Sequence, residues 1–355
     1  KEFVTPLTLS TLSKNDVIIS FTDKESEVWN NHVDLGLWAD FMLIAPATAN
    51  TLSKMAHGQS NNFLLATYLS AKCPVYVAPA MDLDMYRHPS TKKSLEKLNT
   101  FGNVVIPVGN GELASGLSGE GRMAEPEEII SFIKRDIAKQ LPLNGKKILI
   151  TAGPTYEAID PVRFIGNHSS GKMGYAIAEE AAKLGAEVIL VSGPSSLQLK
   201  NDGINRVDVV SAKEMYDAVH LHYKEIDVAI AAAAVSDYRP MTKATQKIKK
   251  SDPKLTLELE KTQDILLSMG EKKQNQFLIG FALETENEVE NAQKKLQKKN
   301  LDFIVLNSLQ DKGAGFQQET NKVRIIDKDK VQSYELKSKE KVAKDILKEL
   351  VDRLV

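Results

Sequence analysis

Glycines and small polar residues follow an apolar run near the middle of the chain, in a pattern suited to binding an anion. The run 148–152 is apolar and rich in β-branched residues, and Gly153 and Pro154 end it. The segment 166–171 (GNHSSG) then leads into residues with helical spacing from Lys172 onwards. The first backbone N–H groups of a helix are unpaired and carry the positive end of its dipole, so this segment predicts a phosphate-binding loop.

The same segment fits a P-loop except at one position. Gly166, Gly171 and Lys172 have the G-x-x-x-x-G-K spacing, whereas Met173 stands where a P-loop requires Ser or Thr to hold the metal. The stretch 155–164, which we predict to be irregular, also separates the loop from its strand. The segment is therefore not a Walker A motif, and a loop that is merely rich in small residues remains the alternative.

Further candidate ligand contacts lie at the ends of other predicted strands in the second half of the chain. Carboxyl ends of parallel strands meet at one edge of a sheet, where ligands bind. The groups are Asn167 with Ser169 and Ser170, Asp237 after the apolar run 227–235, and Phe281 in the run 276–283.

Two sets of lysines flank these groups. The first set lies in the lysine-rich segment 241–262, which we predict to be a strand or flap outside the main sheet, and consists of Lys247, Lys249 and Lys250. The second set is Lys295 and Lys299, which are four residues apart and therefore share one helix face. Backbone N–H groups and lysines can bind phosphates, and a carboxylate can bind the edge of a nucleobase or a metal ion. Together these groups favour a nucleoside triphosphate site. Each lysine alone is more typical of a solvated surface charge.

In the first half, His32 precedes an apolar run and a strand, which indicates an acid or base at a pocket edge. A structural histidine beside a tryptophan is the alternative, and the spacing alone favours it. Asn50 and the methionine-rich loop 81–85 would suit a flat aromatic ligand, although methionines also fill cores.

The pattern of apolar runs predicts an α/β protein with two doubly wound, mostly parallel-sheet domains, bounded at 1–146 and 147–355. In the first domain, the loops 46–51, 79–85 and 109–126 would meet at one sheet edge and form a pocket. The predicted strands are 41–45, 75–78, 104–108, 148–152, 188–192, 227–235, 276–283 and 302–306, with a hairpin at 323–336. The predicted helices are 50–71 with a break at His57-Gly58, 89–98, one that begins at Lys172, one capped by Ser211 and a last one capped by Ser338.

The composition excludes several classes of protein. Lysine plus arginine is 46 against 47 acidic residues, a net charge of −1, which favours neither nucleic acid nor an acidic membrane as a partner. The longest apolar run, 228–235, is too short to cross a bilayer. One cysteine, Cys73, excludes an internal disulfide and suits a cytoplasmic protein. The spacing of the six histidines predicts no metal site. The sequence starts at Lys1 without Met, which suggests that it begins inside a domain.

With these residues in view, the chain resembles the bifunctional phosphopantothenoylcysteine decarboxylase / phosphopantothenate-cysteine ligase family of coenzyme A biosynthesis. The ligase-like motifs are ITAGPTYEAIDPVRFIGNHSSGKMG, AAAVSDYRP, QKIKK, GFALET and KKLQKKNLD. The decarboxylase-like motifs are the His32 segment, PATANT, PAMDLDM and GLSGEGRMAEP. The resemblance implies Rossmann-like or flavodoxin-like domains, of which the first lacks its first strand and Gly-rich turn.

For the second domain, the resemblance implies a ligase that uses CTP and Mg²⁺. The carboxylate of 4′-phosphopantothenate would attack the α-phosphate of CTP, and the amine of L-cysteine would then displace CMP. Asn167 would hold the acyl-cytidylate, and Lys247 would act on the phosphates. The other implied nucleotide contacts are Ala231, Ala232, Ala233, Asp237, Asp264, Ile265, Phe281, Lys295 and Lys299. The metal ligands stay unassigned.

For the first domain, the resemblance implies an FMN-dependent decarboxylase with His32 as its base and with flavin contacts from Asn50, Met81, Asp82 and Met85. Two positions depart from the family pattern. Ser115 replaces a cysteine that would act as the acid, and a hydroxyl is a far weaker acid. Asp82 replaces an asparagine, and its charge would oppose a substrate carboxylate.

Alternatives from other classes remain open. One is a ligase whose decarboxylase half is impaired or only binds flavin. Another is a nicotinamide-dependent oxidoreductase, which would require G-x-G-x-x-G after a strand and an acidic residue about twenty positions on. The resemblance also implies a homo-oligomer, with trimers through the first domain and dimers through the second, and small molecules as the other partners.

Overall fold

The computed structural model describes residues 4–22, 28–113, 115–249, 255–284, 286–308 and 318–354. The chain divides into two compact units, Lys1–Ile137 and Ala138–Val355. The boundary predicted from the sequence, at 146, lies a short distance beyond this division.

The first unit contains a parallel sheet with strand order β1-β2-β3 and a separate antiparallel hairpin, β4-β5. Its strands are β1 Met42–Ala47, β2 Val75–Pro79, β3 Val104–Val105, β4 Gly109–Glu112 and β5 Ser118–Arg122. Its helices are α1 Pro6–Ser13, α2 His32–Trp38, α3 Ala49–Ala56, α4 Phe63–Ser70, α5 Leu83–Arg87, α6 Pro89–Thr100 and α7 Pro126–Gln140, the last of which runs past the unit boundary.

Local signals fix the helix starts in this unit. The Thr48 side chain accepts a hydrogen bond from the Thr51 N–H at the start of α3, and Asn62 caps α4 in the same way. The break between these helices lies at His57-Gly58, as the sequence predicts, and Gly58 has a φ of 67°. All five residues of β2 are buried, as expected for a central strand covered on both faces.

The second unit contains one eight-stranded sheet with strand order β10-β9-β6-β11-β14-β15-β17-β18. Its strands are β6 Lys147–Ala152, β7 Tyr156–Ala158, β8 Phe164–Gly166, β9 Glu187–Ser192, β10 Asn205–Asp208, β11 Val228–Ala231, β12 Tyr238–Pro240, β13 Leu259–Lys261, β14 Phe277–Glu284, β15 Phe303–Ser308, β16 Thr320–Asn321, β17 Val323–Ile326, β18 Val331–Ser333 and β19 Lys337–Ser338. Its helices are α8 Lys172–Lys183, α9 Ala212–His222, α10 Ile265–Lys272, α11 Glu288–Lys298 and α12 Lys339–Leu354.

The sheet is parallel from β10 to β15, and β17 and β18 are antiparallel additions at one edge. Buried aliphatic side chains from its strands pack against α8 and α12 on one face and against α9, α10 and α11 on the other. The predicted α/β fold with a mostly parallel sheet is confirmed. The hairpin predicted at 323–336 corresponds to β17-β18, which turns at Asp327 and Lys330.

Two predictions about loops are wrong. The segment 155–164 is not irregular, because β7 and β8 pair as a hairpin on which Tyr156 and Phe164 stack with ring centroids 3.9 Å apart. The segment 109–126 likewise contains the β4-β5 hairpin. Two strands are shorter than predicted: β3 ends at Val105 and β11 ends at Ala231.

The turn after β6 depends on a close backbone approach. A Cβ added to Gly193, after β9, would lie 1.7 Å from the Pro154 carbonyl oxygen, so this position requires glycine. Gly153 adopts a φ of 78° and Gly171 a φ of 83°. A Cβ added to Gly171 would lie 3.2 Å from the Gly153 nitrogen, which places the start of α8 beside the carboxyl end of β6. In the described part of the chain, no helix combines the length and apolarity that a bilayer crossing requires.

Candidate functional site

A cavity of about 460 Å³ opens at the carboxyl ends of β6, β11 and β14 in the second unit. Parallel strands direct their carboxyl ends to one edge, which is where a ligand binds in such sheets. The cavity is lined by Thr151, Ala231, Ala233, Val235, Asp237, Tyr238, Lys261, Thr262, Gln263, Asp264, Ile265, Leu266, Phe281, Lys295 and Lys299. Most of the nucleotide contacts that the sequence resemblance implies therefore lie around one cavity.

The wall formed by β6 and β11 is held by a side-chain to backbone contact. Thr151 is 2% exposed, and its hydroxyl oxygen accepts a hydrogen bond from the Ala233 N–H at 3.2 Å. The Ala232 N–H donates to the Thr151 carbonyl oxygen at 3.2 Å. These two bonds continue the strand pairing past Ala231 and keep the small Ala231–Ala233 segment against the cavity, although Ala232 itself is not among its lining residues.

Lys295 is positioned by a backbone acceptor from the neighbouring strand. Its Nζ donates to the Phe281 carbonyl oxygen at 2.9 Å, which joins α11 to β14. Burial lowers the pKa of Lys295, and the positive charge of Lys299 lowers it further. An anion in the cavity would favour the charged form of this lysine, because it would offset both effects.

Lys299, one helical turn after Lys295, forms an ion pair with Asp264. Its Nζ lies 3.0 Å from Oδ1 and 2.9 Å from Oδ2 of the carboxylate. The same Oδ1 accepts the Leu267 N–H at 2.9 Å and caps α10. Burial alone would raise the pKa of Asp264, but the hydrogen bonds from Lys299 and Leu267 outweigh it and lower the pKa.

Asn167 lies directly after β8, on the loop that leads to α8. Its Nδ2 donates to the carbonyl oxygens of Ala234 at 2.9 Å and Val235 at 3.2 Å. Both acceptors follow the cavity-lining Ala233. Asn167 is exposed and does not itself line the cavity. The structure therefore ties Asn167 to a wall segment of the cavity and leaves its side-chain oxygen available to a ligand.

Lys247 is exposed on a flap, which we define as residues 241–249, and is not among the cavity-lining residues. The flap follows β12, which pairs with β13 outside the main sheet, as the sequence predicts. Lys249 is also exposed. Lys250, predicted to act with them, falls outside the described residues.

Five polar residues of the cavity are absent from the prediction made from the sequence. They are Thr151, Tyr238, Lys261, Thr262 and Gln263. The sequence pattern places Thr151 in a core strand, and Lys261 and Thr262 at the end of the segment 241–262. The available signal was the position of residues 261–263, which directly precede Asp264 at the start of α10. Thr262 is fixed there by its hydroxyl, which donates to the Ser236 carbonyl oxygen at 2.6 Å.

In the first unit, the predicted flavin contacts gather at the ends of two adjacent parallel strands. Ala47 of β1 is in register with Pro79 of β2, and the Ala80 N–H donates to the Ala47 carbonyl oxygen at 3.0 Å. The loop before α3, which carries Asn50, therefore adjoins the loop that carries Met81 and Asp82.

Three groups of this unit are free to bind a cofactor. The Asn50 side chain is exposed and makes no hydrogen bond with the described residues. Met85 is 51% exposed on α5. The buried Nδ1 of His32 has no hydrogen-bond partner among the described residues. An exposed helix start with a free amide fits a phosphate-bearing cofactor.

His32 is the first residue of α2 and lies among aromatic rings. Its ring centroid is 5.8 Å from that of Phe21, 6.2 Å from Trp29 and 6.4 Å from Phe63, all in edge-to-face geometry. These rings hold the imidazole in place without a hydrogen bond to the Nδ1 atom. The environment is compatible both with a positioned base and with the structural role considered above.

The β4-β5 hairpin extends from the same strand ends. The Met81 N–H donates to the Gly121 carbonyl oxygen at 3.0 Å, and a Cβ at Gly121, whose φ is 128°, would lie 2.4 Å from the Met81 oxygen. Ser115 lies exposed in the hairpin turn, where its Oγ accepts the Leu117 N–H at 3.4 Å.

Asp82 caps the short helix α5. Its Oδ1 accepts the Leu83 N–H at 2.8 Å, and among the described residues its second oxygen has no hydrogen bond.

Two cavities of this unit, of about 750 and 530 Å³, are lined by other residues and include none of the predicted flavin contacts. Within the described ranges, no group of three His, Cys, Asp or Glu side chains could hold a metal ion.

Family models match both units. The model described as DNA/pantothenate metabolism flavoprotein C-terminal domain matches residues 143–354, and the model described as Flavoprotein matches residues 1–138. The chain belongs to the CoaBC-like flavoprotein family. The match of the first unit to the Flavoprotein model supports a flavin-binding domain there.

Two relatives cover almost the whole chain. A protein named Cysteine/Cysteine sulfinic acid decarboxylase, from an unknown prokaryotic organism, is 54% identical over 98% of this chain and 99% of its own. The Coenzyme A biosynthesis bifunctional protein CoaBC of Bacillus subtilis (strain 168) is 46% identical over 92% of this chain and 81% of its own. The two relatives therefore carry different names, and only the first of these names a substrate.

A solved structure supports the fold of the second unit. The crystal structure of the C-terminal domain of a Coenzyme A biosynthesis bifunctional protein CoaBC aligns with a TM-score of 0.52 and 48% identity, covering 61% of this chain and 98% of that one. The DNA/pantothenate metabolism flavoprotein from Streptococcus pneumoniae aligns with the same TM-score at 28% identity.

Proposed function

We propose that the second unit is a CTP-dependent ligase that joins 4′-phosphopantothenate to L-cysteine. The observation that carries this proposal is the convergence of Asp237, Lys295 and Lys299 on one cavity at the sheet edge. The phosphopantothenate carboxylate attacks the α-phosphorus of CTP, and pyrophosphate leaves. The cysteine amine then attacks the acyl carbon, and CMP leaves with the original bonding pair while the amine proton is released.

The residues of the cavity divide this work by their chemistry. Lys295 and Lys299 neutralise negative charge that grows on the leaving pyrophosphate, and such preorganised charges act strongly in a site shielded from water. Asp237, with the backbone of Ala231 and Ala233, contacts the cytidine. Asn167 holds the acyl-cytidylate through its free side-chain oxygen. Lys247 contributes from the flap.

Magnesium enters this proposal with the nucleotide. Mg²⁺ is commonly bound through substrate phosphates and one or two carboxylates, so a cluster of protein ligands is unnecessary. Asp237 and Asp264 are the carboxylates that line the cavity.

The ligase proposal is tested by pyrophosphate release. Protein mixed with 4′-phosphopantothenate, L-cysteine and Mg²⁺ should release pyrophosphate faster with CTP than with ATP, and mass spectrometry should detect the amide. A reaction without cysteine should release at most one pyrophosphate per active site, since the acyl-cytidylate has no amine to meet. The absence of pyrophosphate with both nucleotides would contradict the proposal.

For the first unit, we propose that phosphopantothenoylcysteine is the substrate of the flavin-dependent decarboxylase. FMN, when bound there, would take two electrons from the substrate thiol and return them after carbon dioxide has left. Asn50, Met81 and Met85 hold the cofactor at the ends of β1 and β2. His32 acts as the base through its imidazole, which the surrounding aromatic rings hold in place. Together the two units would carry out consecutive steps of coenzyme A biosynthesis.

A second candidate substrate is free cysteine or cysteine sulfinic acid. The 54% identical relative carries that name, and Asp82 provides a physical reason for it. A carboxylate beside the substrate repels a substrate carboxylate but attracts an ammonium group. Free cysteine has an ammonium group, whereas acylation removes it in phosphopantothenoylcysteine. Carbon dioxide release from the three compounds by the FMN-loaded protein separates the two candidates.

A further inference from the structure

Asp160 is a buried carboxylate in the turn between β7 and β8. It is 2% exposed, and its Oδ1 accepts the N–H groups of Val162 and Arg163, both at 2.8 Å. Its Oδ2 accepts Arg163 Nε at 2.9 Å. The Arg163 guanidinium and these backbone donors hold the pKa of Asp160 well below its usual range. The carboxylate is therefore charged and surrounded by donors at neutral pH.

The same carboxylate also reaches the flap. The Ile248 N–H donates to Asp160 Oδ2 at 3.1 Å, and Arg163 donates back to the Ile248 carbonyl oxygen at 2.8 Å. A further bond joins the Ala244 N–H to the Ile159 carbonyl oxygen at 3.0 Å. The turn and the flap are thus connected at two points, although Asp160 and Ile248 are 88 residues apart in the chain.

These bonds fix the residue next to the predicted catalytic lysine. Ile248 is partly buried against the turn, whereas Lys247 and Lys249 on either side of it are exposed. The Ile248 N–H belongs to the peptide group that joins it to Lys247, so its bond to Asp160 also fixes the backbone of Lys247. The β7-β8 hairpin also leads directly into Asn167. One buried carboxylate thus connects the segments that carry two of the proposed ligase residues.

We propose that Asp160 is a positioning residue of the ligase reaction, which holds the flap against the β7-β8 turn and thereby places Lys247 for the nucleotide phosphates. This inference rests on the proposed ligase activity. It differs from a role in the turn alone, because a turn residue would affect folding without acting through Lys247.

Two substitutions separate the flap contact from the turn. Asp160→Asn can still accept the Val162 and Arg163 N–H groups through its carbonyl oxygen, but its amide then faces the Ile248 N–H and the Arg163 guanidinium, which are also donors. Ile248→Pro removes the flap donor and leaves the Asp160–Arg163 pair intact. Asp208→Asn, at an exposed ion pair with Arg206 on β10, serves as the matched control.

The first measurement is limited trypsin digestion, with mass spectrometry of the peptide that ends at Lys243, an exposed flap residue that precedes Ala244 and remains a trypsin site in every variant. Asp160→Asn and Ile248→Pro should each raise the rate of this cleavage about tenfold, because a released flap opens more often. Asp208→Asn should leave the rate unchanged. Equal rates in all four proteins would overturn the inference, whether or not the ligase activity exists.

The second measurement is a double-mutant cycle on CTP-dependent pyrophosphate release. Each flap variant should lower kcat about tenfold in the wild-type background and cause no further loss in the Lys247→Ala background. Losses that multiply in the double variants would overturn the inference, since Asp160 would then act independently of Lys247. An inactive wild-type protein would instead remove the ligase proposal, while the digestion still reports whether Asp160 holds the flap.

Discussion

Lys299 and Asp264 form an ion pair at 2.9 Å that joins the end of α11 to the start of α10 at the candidate nucleotide cavity. Asp264 also caps α10, so the ion pair holds Lys299 in a defined position before any ligand binds. Lys295, one turn earlier, is fixed separately by the Phe281 carbonyl oxygen. The cavity therefore presents two lysines whose positions are set by different neighbours.

Replacing Lys299 with alanine should weaken nucleotide binding. The substitution removes a charged donor from the cavity and leaves the Asp264 carboxylate to repel the phosphates. We expect the KM for CTP to rise about tenfold, which corresponds to one charge-assisted hydrogen bond. Lys298→Ala, exposed on the same helix, is the matched control and should leave the KM unchanged. Equal effects of the two substitutions would contradict a specific role for Lys299.

Asn167 should affect the ligase reaction without affecting the decarboxylase. Asn167→Ala removes the amide that is tethered to the Ala234 and Val235 carbonyl oxygens. We expect amide formation to fall about 100-fold, the size seen when one positioned donor or acceptor of a reaction intermediate is lost. Carbon dioxide release from supplied phosphopantothenoylcysteine should not change. His168→Ala, the exposed neighbour, is the control, and normal amide formation by Asn167→Ala would refute the proposed role.

Arg353 should stabilise the second unit in a pH-dependent manner. It pairs with Glu349 on α12 and with Asp327 at 2.7 Å, and it lies over the buried Phe303 ring. Burial alone would raise the pKa of both carboxyls, but the hydrogen bonds from Arg353 outweigh it, so each pKa lies below its ordinary value of 4.5 or 3.8. Lowered carboxyl pKa values stabilise the fold above the unfolded values, and this contribution is lost as the pH falls through the folded values.

Arg353→Met should therefore lower the free energy of unfolding by about 2 kcal/mol at pH 7, with a smaller deficit near pH 4. Thermal unfolding midpoints at the two pH values measure the difference. Lys348→Met, exposed on the same helix, should behave as wild type at both. A deficit that grows as the pH falls would contradict the assignment.

The sequence predicts those parts of the molecule that depend on local patterns. The apolar runs identify the parallel strands, and the Gly58 position marks the break between α3 and α4. The cavity at Asp237 and Lys295 follows from the rule that carboxyl strand ends meet at one edge. The family resemblance then names further residues there.

Other parts depend on contacts between distant segments, which no local pattern reveals. The β7-β8 hairpin is stabilised by the Tyr156–Phe164 stack, and its link to the flap joins Asp160 to Ile248. The role of Thr151 depends on the backbone of Ala233, which lies 82 residues further on. Such contacts are decided by tertiary packing. For this reason the sequence does not predict the β7-β8 and β4-β5 hairpins, and it predicts only part of the cavity.

Asp82 should determine whether the first unit prefers a substrate with a free ammonium group. One oxygen of its carboxylate caps α5 through the Leu83 N–H, and among the described residues the other oxygen has no hydrogen bond and can attract a cation. Asparagine is an equally good helix cap, so Asp82→Asn should remove the charge and preserve the fold. We expect the ratio of kcat/KM for cysteine to that for phosphopantothenoylcysteine to fall about tenfold in this variant.

The control is Asp84→Asn, exposed in the first turn of the same helix, which carries the same charge change. Both kcat/KM values are measured on the same FMN-loaded protein. A loss of cofactor would therefore lower the two values together and leave their ratio unaltered. A ratio that stays constant in Asp82→Asn, or that falls equally in Asp84→Asn, would show that this carboxylate does not select the substrate.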